Sequence, residues 1–87
     1  GCNGAPDWVI EILSPGNSRM EMREKFRVYE EAGVREYWIV NPTERIVLQY
    51  VLNEAGQYSG LAPASEEDQL RPHIFPDLVI DLKEVFV

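Results

Sequence analysis

The chain has 87 residues, 45% of them apolar, with a formal net charge of −7. That length allows one small domain, and that apolar content supports a packed core and excludes a disordered segment. The acidic balance argues against non-specific grip on nucleic acid, which needs Lys and Arg at phosphates. One cysteine, Cys2, excludes an internal disulfide and fits a reducing, cytoplasmic compartment. A Cys2–His73 catalytic pair would need hydrogen-bond contact between two groups far apart in sequence, so it is set aside. No apolar run approaches the ~20 residues of a membrane span, and no signal peptide is visible; no membrane partner is expected.

The first element is "WVIEIL", Trp8 to Leu13, bounded by "GAPD" and "SPG" and rich in β-branched and aromatic residues. Trp8, Ile10 and Ile12 point to one face of this strand, and Val9, Glu11 and Leu13 to the other. Both faces are largely apolar, which predicts an interior strand. Asn17 or Ser18 can then cap a helix over about Ser18 to Ala32, with Glu21 in its first turn and Gly33 as its C-cap. Met22, Phe26, Tyr29 and Ala32 form its apolar stripe. "REYWIV", Arg35 to Val40, is a second strand. Pro42 sits in a turn, and Arg45 to Leu52 returns antiparallel as a third strand. "QYSG" starts a short fourth strand, and the Pro-rich stretch after it holds short extended pieces at most. A strand over Leu78 to Ile80 and a helical turn over Leu82 to Phe86, capped by Asp81, close the chain. The order predicts an α/β fold: a mixed sheet with one main packed helix, which crosses over between parallel neighbours.

Two acids and a lysine raise a chemical question. A carboxylate inside a buried strand costs several kcal/mol, to order of magnitude, unless it is paired, hydrogen-bonded, protonated or metal-bound. Glu11 is therefore either a solvent-facing or salt-bridged strand residue, or a metal ligand or general base. Lys25 lies about 40° around the helix from Tyr29, beside the apolar stripe. It either snorkels over apolar surface or is directed at Glu11. An acid, a metal ion and a lysine together are what phosphodiester hydrolysis needs. Asp7 is a second candidate acid or a turn residue. In a regular strand it stands ~13 Å from Glu11, too far to share an ion whose ligands sit at about 2.0–2.1 Å.

The stretch "GAPDWVIEILSPGNSRMEMREKFRVYEEAGVREYWIVNP", with the later "FPDLVIDLKEVF", resembles the Uma-two family of bacterial restriction-endonuclease-like proteins, within the PD-(D/E)XK nuclease superfamily. The resemblance implies a Mg²⁺- or Mn²⁺-dependent DNA endonuclease on a restriction-endonuclease-like fold. It implies that Glu11 is the acid of the (D/E)XK strand. It implies that Asp7, the match to the Asp of "PD", is a catalytic and metal-binding position with Glu11. It implies that Lys25 is the catalytic lysine, at the helical position where the family carries it, with Leu13 standing where the strand lysine would be. Tyr29 and the Tyr37–Trp38 pair match aromatic positions and are read as core. Asn41 and Glu21 stand where Asp is commoner. The family's N-terminal region, with a further acidic motif, has no counterpart here. The chain therefore looks like one truncated domain over residues 1–87, with the N-terminal part of the fold missing. An uncovered first strand would favour a homo-oligomer. The competing readings are a catalytically incomplete remnant acting as an oligomeric interaction module, and a small acidic α/β interaction module.

Overall fold

Between Ile12 and Glu36 the chain must return to the same end of the sheet, because β1 (Trp8–Ile12) and β2 (Glu36–Asn41) pair in parallel. A parallel neighbour demands such a crossover, and α1 (Arg19–Ala32) supplies it. The computed structural model describes residues 6–86, so Cys2 lies outside the described residues.

Local chemistry sets the ends of α1. Asn17 closes the preceding turn, accepting a hydrogen bond from the Ser14 amide at 2.7 Å. Ser18 is then the N-cap, and its hydroxyl oxygen accepts from the Glu21 amide at 3.1 Å. At the other end Gly33 adopts φ 81°, which costs a residue without Cβ little. The Gly33 amide donates to Glu30 O and the Val34 amide to Tyr29 O, a Schellman closure.

β2 pairs antiparallel with β3 (Ile46–Leu52), and β3 with β4 (Tyr58–Gly60) and β5 (Ala64–Ser65). The β2–β3 turn places Arg45 at φ 55°, a left-handed conformation that costs a side-chain-bearing residue about 1–2 kcal/mol. Hydrogen bonds from its guanidinium to Glu66 (2.7 Å) and Phe86 O (2.6 Å) offset that cost. The Pro-rich stretch contributes β6 (Gln69–Leu70), which pairs with β7 (Ile80–Asp81) as a separate ribbon. The closing strand therefore begins at Ile80, later than expected, and Leu78 and Val79 are exposed. α2 (Leu82–Val85) follows, capped by Asp81, which accepts from the Lys83 amide.

The sheet separates two apolar layers. On one face Phe26 and Tyr29 of α1 pack against Tyr37, with Phe26 also against Tyr50 and Tyr58. Ala32, expected in the stripe, is exposed. On the other face Trp38, Val40, Val47 and Ala64 bury Leu82 and Phe86 of the C-terminal segment. β1 is the edge of the sheet among the described residues, where an interior strand was expected. Ile10 and Ile12 are correspondingly 46% and 67% exposed.

Glu36 is fully buried on the second face. Its carboxylate accepts from Trp38 Nε1 (2.6 Å), Gln49 Nε2 (2.8 Å) and the Ile74 amide (3.0 Å), tying the 71–78 loop to the sheet. Removing it strands three donors, each costing about 1–3 kcal/mol when unsatisfied, less what relaxation and water recover. Glu36→Ala is expected to lower stability by about 3 kcal/mol, read from the urea midpoint; a change below about 1 kcal/mol refutes this role.

Candidate active site

Parallel pairing sets Val9 beside Tyr37 and Glu11 beside Ile39, on the face that α1 covers. Above them, Lys25 and Tyr29 are one helical turn apart and project to the same flank. The Lys25 ammonium lies 3.3 Å from Glu11 Oε2, and the Tyr29 hydroxyl donates to Glu11 Oε1 at 2.8 Å. The Glu11 side chain retains 22% exposure and Lys25 43%, so the group opens to solvent beside the β1 edge. The expected approach of Lys25 to Glu11 is thus present, and both carboxylate oxygens are engaged from one helix.

No hydrogen bond or ion pair joins Asp7 to the Glu11, Lys25 and Tyr29 group. Asp7 precedes β1, and its carboxylate pairs with Arg35 Nη1 at 3.8 Å, both side chains more than 60% exposed. Among the described residues no group of three His, Cys, Asp or Glu side chains could hold a metal together. Glu11 suits a hard divalent cation in kind. A carboxylate carries about four lone-pair sites, two of which its partners occupy, and Mg²⁺ is commonly held by one or two carboxylates with waters and substrate phosphates.

Two residues escape the sequence reading. The apolar pattern assigns Tyr29 to the core, yet its hydroxyl reaches Glu11; the signal that could have found it is its four-residue spacing from Lys25. Glu36 carries no signal, because its partners Gln49 and Ile74 come from distant segments.

The family model Uma2, described as "Putative restriction endonuclease", matches residues 1–83. This chain belongs to the Uma2 family. The fold is also similar to the crystal structure of a putative nuclease belonging to DUF820 from Anabaena variabilis ATCC 29413. The TM-score is 0.72 at 25% identity over 95% of this chain. The Uma2 chain spans 45% of that protein's length. A comparison with curated proteins finds no match. Among the described residues no helix is long and apolar enough to cross a membrane.

In this Uma2 chain the aromatic layer beside Glu11 resists ionisation. The Tyr29 phenol is raised by its hydrogen bond to Glu11, then by burial and the Glu11 charge. Tyr37 is raised chiefly by burial. Burial and the nearby Glu30 charge push Tyr58 from 10.0 up to about 12, while its hydroxyl donates to Val34 O at 2.8 Å. Above pH 10 the unfolded chain loses a Tyr58 proton that the folded chain keeps. Stability is therefore full below pH 10 and falls as pH rises toward about 12. Urea unfolding at stepped pH should show this fall, with Tyr29 and Tyr37 adding to it. Tyr58→Phe should start about 1 kcal/mol lower, having lost one hydrogen bond, and fall less steeply. Identical slopes for the two proteins would refute the assignment.

Proposed function

We propose that this chain carries the catalytic group of a Mg²⁺- or Mn²⁺-dependent DNA endonuclease, with Glu11 as metal ligand and Lys25 as the cation at the scissile phosphate. The observation that carries the reading is the Lys25 ammonium 3.3 Å from a partly exposed strand carboxylate. Membership of a family described as restriction endonucleases supports DNA as the substrate.

When bound, the divalent ion supplies positive charge for the phosphodiester oxygens. Glu11 would hold that ion through the lone pairs its partners leave open. Lys25, on a flexible four-carbon stem, would offer its charge to the scissile phosphate and stabilise charge developing on phosphate oxygen. Asp7 is proposed as the second candidate acid and metal ligand, standing at the mouth of β1 with its carboxylate paired to Arg35.

The net charge of −7 opposes DNA binding, and α1 as a whole is neutral, its four cations matched by Glu21, Glu24, Glu30 and Glu31. Four of the chain's eight Lys and Arg residues lie on α1. Arg19, Arg23 and Arg27 form an exposed row about 12 Å long. Among the described residues none of the three has an acidic partner within ion-pair distance. This row suits the phosphate backbone, and we assign the chain to the cytoplasm, where that substrate lies. Among the described residues no strand pairs with β1 on its outer side, and the proposal includes a homo-oligomer in which a second copy adds a strand there.

The separation of Asp7 from Glu11 favours one alternative, a catalytically incomplete remnant acting as an oligomeric interaction module. Cleavage of supercoiled plasmid with Mg²⁺ or Mn²⁺ decides between them. The wild type is expected to cut, and Glu11→Gln and Lys25→Ala each to lose about a hundredfold or more. Cleavage that survives both changes removes the proposed site, and an inert wild type supports the remnant. With Arg23→Ala plus Arg27→Ala, DNA affinity should fall, and the salt slope should drop by about 0.9 for each phosphate no longer neutralised. An unchanged slope excludes the arginine row. Light scattering should find a dimer that Ile12→Lys converts to monomer; a wild-type monomer refutes the oligomer.

A further inference from the structure

The two groups that meet Glu11 differ in kind. Lys25 offers a point charge on a flexible stem, with 43% of its side chain exposed. Tyr29 offers a rigid ring packed 5.0 Å from the ring of Tyr37, itself fully buried on the neighbouring strand. A four-residue step along α1 rises about 6 Å, so the two side chains reach the carboxylate from different heights and take different oxygens. The terminal torsion of a glutamate is broad and selects no single orientation of the carboxylate plane. A mobile ammonium does not select one either. A packed phenol donating along one direction at 2.8 Å does.

We infer that Tyr29 is a positioning residue: its hydroxyl fixes the Glu11 carboxylate in the orientation that presents its open lone pairs to a divalent cation. This rests on the metal-site reading of Glu11 given above. The ring alone does not require a tyrosine, because phenylalanine would fill the same space against Tyr37. Only the hydroxyl reaches Glu11. Its ring is held against Tyr37 while its hydroxyl donates to Oε1, so it serves as a donor fixed in direction. Oxygen Oε1 keeps a second lone pair after accepting this bond, so the contact orients the ligand without exhausting it.

Mn²⁺ uptake by the full chain, followed by electron paramagnetic resonance, tests the inference without any appeal to cleavage. Tyr29→Phe is expected to weaken Mn²⁺ binding about tenfold or more, the scale typical of losing a group that orients a metal ligand. Tyr50→Phe removes a hydroxyl from the same aromatic layer that makes no hydrogen bond to Glu11, and should leave uptake unchanged. Equal affinity for Tyr29→Phe and wild type overturns the inference while the metal site stands. No uptake by wild type overturns the metal-site reading and the inference with it.

Discussion

The parallel pairing of β1 with β2 is the constraint on which the rest of this molecule depends. It obliges the chain to cross the sheet between Ile12 and Glu36, and so it lays α1 over the face that carries Glu11. Register completes the placement. A slip of one residue in β1 would turn Glu11 to the opposite face, among Trp38, Val40 and Val47, where a carboxylate would face an apolar layer. The Schellman closure at Gly33 sets where the helix stops and β2 begins, and thereby the height at which Lys25 and Tyr29 stand over the strand.

Two glutamates on adjoining strands show how differently a fold can accommodate a carboxylate. Glu36 is closed off from solvent and satisfied by three uncharged donors. Its position binds the loop over residues 71–78 to the sheet, and nothing leads to it from outside. Glu11 stands on the opposite face, meets a cation and a phenol, and keeps part of its surface in water. A carboxylate with open lone pairs, a mobile cation and part of its surface exposed can meet a ligand. A sealed carboxylate with neutral donors does not. Burial and partner chemistry, not residue type, separate the structural acid from the candidate catalytic one.

Much of the local structure is legible in the sequence. Ser18, Gly33 and Asp81 mark element ends because a cap is a contact between residues a few positions apart. The β2–β3 hairpin is legible for the same reason. Lys25 is legible as a partner for Glu11 because a helix converts sequence spacing into angle. Tyr29 is visible by that same spacing and still falls to the core, since an aromatic ring satisfies the apolar pattern whether or not its hydroxyl is used. The two apolar faces of β1 predict an interior strand. Among the described residues it is an edge, because strand order depends on which segments add beside it and not on its own composition. The last strand begins later than expected because pairing with β6, not the apolar run at Leu78, sets its start.

By itself the sequence determined the helix and its Gly33 cap, the alternation that puts Glu11 opposite Ile10 and Ile12, the family pattern, and the single lysine flanking the packed helical stripe. These are consequences of bond geometry and short-range spacing, which act within a few residues. Only the tertiary structure decided that Lys25 and Tyr29 divide the two oxygens of Glu11 between them, that Asp7 turns to Arg35, and that Glu36 is sealed by groups from three segments. Each of those outcomes turns on a difference of an ångström or two between residues distant along the chain, and such distances exist only once the elements have packed.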